Sequence, residues 1–133
     1  METYQEKISL LQEMIGFALI DGQLHDREYD FIEMIAQELE VDKKTMLKLY
    51  DKKAEKLVIK DEISRICQFY RLALLMHVDG VLHENEQKKI NEIGINMGLS
   101  PYAMKRVLHL MKKSPTRMID GDVLIAAFQE QLN

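Results

Sequence analysis

The chain has 133 residues, 47% hydrophobic and 30% charged, with a net charge of −4. This is the balance of one globular domain with enough apolar mass for a core, and its acidity weighs against a general nucleic-acid binder. The longest apolar run, Leu72–Met76, falls far short of the roughly 20 residues a membrane span needs. No basic-then-apolar leader opens the chain, and the lone cysteine, Cys67, excludes an internal disulfide, so a soluble cytoplasmic protein is expected.

Proline and glycine are scarce and β-branched residues form no alternating run, so helices are predicted throughout. The first covers about residues 4–21, with Ile8, Leu11, Ile15, Ala18 and Leu19 at helical spacing, and Gly22 is expected to end it in the left-handed region. A second runs from about 26 to 40 with Tyr29, Ile32, Ile35, Ala36 and Leu39 inward. Asp42 is a good N-cap for a short third helix carrying Met46, Leu49 and Tyr50. After a link around residues 54–59, Asp61 opens a long helix that is apolar almost all round. It runs from Ile63 through Ile66, Cys67, Phe69, Tyr70 and Leu72–Met76 to Val78, should be the most buried, and is stopped by Gly80. The fifth helix buries Ile90, Ile93, Gly94 and Met97 and ends at Gly98. Ser100-Pro101 starts a sixth in the favoured order of cap then proline, with Met104, Val107, Leu108 and Met111 inward. Ser114-Pro115 breaks the chain, and Asp120 or Asp122 caps a last helix holding Val123, Leu124, Ala127 and Phe128. The predicted architecture is all-α, about seven helices and no sheet.

One spacing occurs twice. Asp21-Gly22-x-Leu24-His25-x-x-Glu28 returns 58 residues later as Asp79-Gly80-x-Leu82-His83-x-x-Glu86. The alignment extends to Ile8 with Ile66, Ile32 with Ile90, Ile35 with Ile93 and Met46 with Met104. A single domain over residues 1–133 follows, with one half at about 5–53, a second at about 60–113 and a C-terminal helix at about 120–132. Each repeated residue suits a tight helix–helix corner. Glycine takes φ > 0 cheaply, the leucine staples the corner to the core, the aspartate accepts from the turn, and the glutamate reaches back as in a capping box.

The same residues fit a second role, cation binding. Asp, Gly, an aliphatic and Glu match the second half of an EF-hand loop, but the earlier ligand positions would be Phe17 and Leu19, or Leu75 and His77. A true EF-hand is not expected. A weaker divalent-cation site with Asp21 and Glu28, or Asp79 and Glu86, as its metal ligands remains open.

Two apolar helices that each end in Asp-Gly, followed by Leu-His-x-x-Glu and an isoleucine-rich helix, resemble the tellurite-resistance TerB-like domain over roughly residues 5–111. The resemblance implies a pseudo-symmetric helical bundle found in stress-associated proteins, a protein-interaction module rather than an enzyme. It also implies divalent-cation binding through acidic clusters, carried here by Asp21, Glu28, Asp79 and Glu86. Serine is common in that family where this chain has His25 and His83.

Charge is unevenly spread. Residues 21–42 hold eight acids and one base, while 43–60 hold seven lysines and two acids. Asp26, Asp30, Glu33 and Glu40 line the outward face of the second helix. Their repeat counterparts Glu84, Lys88, Asn91 and Gly98 do not reproduce that acidity, so Asp26, Asp30 and Glu33 are candidate partner-binding residues. The lysine-rich segment 43–60 is an alternative nucleic-acid contact, though it lacks interleaved aromatics. His77, Asp79, His83 and Glu86 cluster in sequence and are the alternative centre of a metal-dependent hydrolase; packing at core spacing favours His77 as a hydrogen-bonded core histidine instead. No phosphate-cradling loop, nucleophile elbow or His-Glu-x-x-His helix occurs, so no catalytic residue, no resident cofactor beyond a divalent cation and no small-molecule substrate is expected. The expected partner is another protein.

Overall fold

The computed structural model describes residues 3–20, 24–51, 59, 61–78 and 84–130. Among these lie seven α-helices and no strand: α1 (Tyr4–Ala18), α2 (Asp26–Glu38), α3 (Lys43–Leu49), α4 (Glu62–His77), α5 (Glu84–Asn96), α6 (Pro101–Lys113) and α7 (Gly121–Glu130). The starts are set by local chemistry. Side-chain oxygens of Thr3, Asp42, Asp61 and Ser100 accept from the backbone N–H three residues on, at 3.1, 2.7, 3.0 and 3.4 Å. Each satisfies a donor that the first helical turn leaves free. The Thr45 N–H on the Asp42 carboxylate also holds that acid below its ordinary range.

The 58-residue repeat is visible in these boundaries. α1 and α4 start at 4 and 62, α2 and α5 span 26–38 and 84–96, and α3 and α6 start at 43 and 101. The α2 and α5 ends are built alike. Val41 N–H bonds to Ala36 O at 2.9 Å and Glu40 N–H to Gln37 O at 3.0 Å, matched by Leu99 to Gly94 at 3.0 Å and Gly98 to Ile95 at 2.9 Å. This pair of bonds is the Schellman motif, and it needs a left-handed residue. Gly98 takes φ +80° there and Glu40 takes φ +61°. A glutamate pays for that conformation sterically where glycine does not. Glu40→Gly is therefore expected to raise stability by about 0.5–1 kcal/mol, read from the midpoint of urea unfolding.

The halves meet along α1 and α4. Gln68, fully buried, donates from Nε2 to the Leu10 carbonyl at 3.2 Å, and Leu10 is its own repeat counterpart. A residue that touches its equivalent marks a self-complementary, two-fold seam. α1 also packs on α2 and α3, while α4 packs on α5 and α7, so α4 is the helix common to the seam and the added C-terminal layer. Its Phe69 ring meets Phe128 of α7 edge-on with centroids 6.1 Å apart.

Some expectations need correction. α1 ends at Ala18 and α4 at His77, with Leu19 and Val78 as C-caps, short of the glycines that were expected to stop them. Gly22 and Gly80 themselves lie outside the described residues. Leu19, Ile63 and Val123 are exposed rather than core. Each sits at or beside a helix terminus, where an apolar residue fits the periodic pattern but projects past the helices that would cover it. α7 begins at Gly121 and its Leu124 N–H bonds to the Asp120 carbonyl, so Asp120 and not Asp122 precedes the first turn.

Candidate functional site

α2 starts at the first repeated corner, and Glu28 is only 3% exposed in its first turn. Its Oε1 accepts from the His25 N–H at 3.2 Å, the backward reach expected of a capping box. Glu86, at the same register of α5, is 4% exposed. Charged side chains are rarely buried to this degree unless their oxygens are held, so both corners use the glutamate inside the fold. Asp21, Asp79 and His83 lie outside the described residues. Among the described residues, no three His, Cys, Asp or Glu side chains gather as a metal site would require.

Around Glu28 the halves differ. Tyr50 of the α3 C-cap stacks at a tilt on Tyr29 with centroids 6.0 Å apart. Its hydroxyl is buried with no hydrogen-bond partner among the described residues. Burial, then the negative groups of Tyr29, Glu33 and Glu28, push this phenol up to about 12. The counterparts of Tyr29, Glu33 and Tyr50 are Gln87, Asn91 and Leu108, so the second half lacks the tyrosine pair and this acid at the matching positions.

The acidic face of α2 points outward as predicted at Asp26 and Asp30, which are exposed; Glu33 is half-buried. Glu40 is exposed but lies past the helix, in the left-handed turn. In the lysine-rich segment Lys43, Lys44 and Lys48 are exposed on α3, and Lys52, Lys53, Lys56 and Lys60 lie outside the described residues.

A groove that spacing does not reveal opens between α2, α4 and the α6–α7 link, with a cavity volume of about 480 Å³. Phe31 and Ile35 of α2, Leu74 of α4 and its C-cap Val78 supply apolar wall, and the exposed methionines Met34 and Met118 flank it. Its polar groups are Glu38, His77, Thr116 and Arg117. The link is pinned in place: the Tyr70 hydroxyl donates to Ile119 O at 3.2 Å and accepts from Ile119 N–H at 3.0 Å. A turn closes from Arg117 N–H to Ser114 O at 3.1 Å, and Thr116 Oγ1 accepts from Met118 N–H at 3.3 Å. Arg117 sits at φ +65° and its guanidinium donates to the Lys112 carbonyl at the end of α6.

His77 corrects the expectation of a packed, hydrogen-bonded core histidine. It is half-buried and lines the groove, and its buried Nε2 has no hydrogen-bond partner among the described residues. Burial, then the Arg117 charge, hold its pKa below the ordinary value, so the ring is neutral at pH near 7. The repeat did carry a trace of this site: His77 replaces Leu19 at an otherwise apolar register.

No family model, curated protein or solved structure matches the chain.

Proposed function

We propose that this is a non-enzymatic protein-interaction domain of the TerB-like kind, stress-related in its setting, which docks a basic protein segment on the acidic face of α2. The observation that carries this reading is a division of labour on one helix. Glu28 is buried in the corner, while the exposed Asp30 and the half-buried Glu33 stand at positions where the second half has Lys88 and Asn91. The helix is built twice, yet the charges of Asp30 and Glu33 are present once, which points to a task beyond folding. A divalent cation at the Asp21/Glu28 and Asp79/Glu86 corners belongs to the same proposal, as a regulator that would draw on Glu28 and Glu86 in the first turns of α2 and α5.

Partner capture from the native cell with the parent and the Asp30→Lys/Glu33→Lys variant tests the docking face. Proteins recovered by the parent are expected to be lost with the variant; equal recovery by both removes α2 as the surface. For the cation, calcium, magnesium, manganese and zinc titrations followed by amide shifts should move His25, Glu28 and Glu86 together. Shifts confined to other regions would remove the corners from the proposal.

A further inference from the structure

We propose that the groove between α2, α4 and the α6–α7 link is a binding site for a small amphipathic monocarboxylate, its apolar tail on Leu74 and Phe31 and its carboxylate on Arg117 and His77. The inference is independent of the docking reading above, because it uses none of Asp26, Asp30 and Glu33.

Four observations converge. The first is size and lining: about 480 Å³ of mostly apolar concavity with a few polar groups is the usual form of a small-molecule site. The second is the unpartnered, buried Nε2 of His77, a polar atom whose desolvation nothing in the described residues offsets. A ligand oxygen there would accept from a ring protonated at Nε2. The third is Arg117, which lines the same groove as His77, so that a cation and a hydrogen-bonding ring border one cavity. Among the described residues the guanidinium donates to Lys112 O, and with five N–H groups in all it has donors to offer a carboxylate. The fourth is the backbone. A non-glycine residue at φ +65° costs energy, and here that conformation holds Arg117 in a link already tied to Tyr70 and Ser114.

Charge sets the class of head group. Arg117 attracts an anion, while Glu38 on the α2 wall disfavours a second negative charge. A single carboxylate satisfies both, and the exposed Met34 and Met118 provide an adaptable mouth for tails of different shape.

The test is titration of the full chain with octanoate below its micelle concentration, followed by backbone amide and histidine-ring NMR. Saturable shifts at the His77 ring and at Arg117 and Met118 amides are expected, with octanol, the same tail without charge, binding more weakly. Arg117→Gln is expected to weaken octanoate about tenfold. Met118→Glu, an exposed rim change that adds a negative charge, should weaken it in the same direction while circular dichroism stays that of the parent. No saturable shift at His77 overturns the proposal. So does octanol or octylammonium binding as tightly as octanoate, or parental affinity in Arg117→Gln.

Discussion

Phe69→Ala is expected to cost about 3–5 kcal/mol, the usual range for deleting a fully buried aromatic side chain. Phe69 has no exposed surface and lies on the one helix that contacts α1, α5 and α7. Its ring supports Phe128 edge-on and also lies 3.5 Å from the position a Cβ would take on Gly94. Three elements therefore border the void, and none can close it without leaving another partner. The measurement is the midpoint and slope of urea unfolding for parent and variant. A loss below about 1 kcal/mol with unchanged slope would show that the core relaxes around the gap, against the central place given to α4.

Gln68→Ala is expected to cost about 2–4 kcal/mol, through lost packing and through the groups it strands. Its Nε2 bonds both Leu10 O at 3.2 Å and Glu13 Oε1 at 2.9 Å, and its Oε1 accepts from Arg71 at 3.5 Å. The cost should also depend on pH. Burial holds the Glu13 carboxyl above its ordinary value, while the Gln68 hydrogen bond and the Lys89 charge pull it down. An acid with a raised pKa in the folded state favours folding most below its unfolded pKa, and that favour is lost as pH rises through the folded value. Removing Gln68 takes away a downward pull and moves the folded pKa higher still. The variant's deficit should therefore be greater at about pH 7 than at about pH 4. A deficit equal at both would show that Glu13 does not sense Gln68.

Local chemistry made most of the helix starts readable. Asp42, Asp61 and Ser100 cap the helices they were expected to cap, because a cap is an interaction across three residues that needs no knowledge of the fold. Glu28 reaches back to His25 for the same reason. Helix ends were less legible. α2 closes with a Schellman turn on Glu40, and no composition rule favours glutamate at φ > 0; only its alignment with Gly98 pointed there. Gln68 escaped notice because glutamine is ordinary on a helix surface. Its burial is decided by α1, which supplies both a carbonyl and a carboxylate to receive its amide.

The candidate sites divide in the same way. Glu28 and Glu86 in the first turns of α2 and α5, and Asp26 and Asp30 on the outer face of α2, follow from repeat and register. The groove does not, since its walls come from three separated segments, with Phe31, His77 and Arg117 each 40 or more residues from the next.

The amino-acid order alone determined the all-helical class, the 58-residue repeat and the capped starts, since all three rest on residue identities or on contacts a few positions apart. Tertiary structure decided that α1 and α4 meet across a seam where Gln68 faces Leu10. It also decided that His77 borders a groove instead of filling a core. Those outcomes depend on which helix faces lie opposite one another, a property of packing in space that periodicity along the chain does not encode.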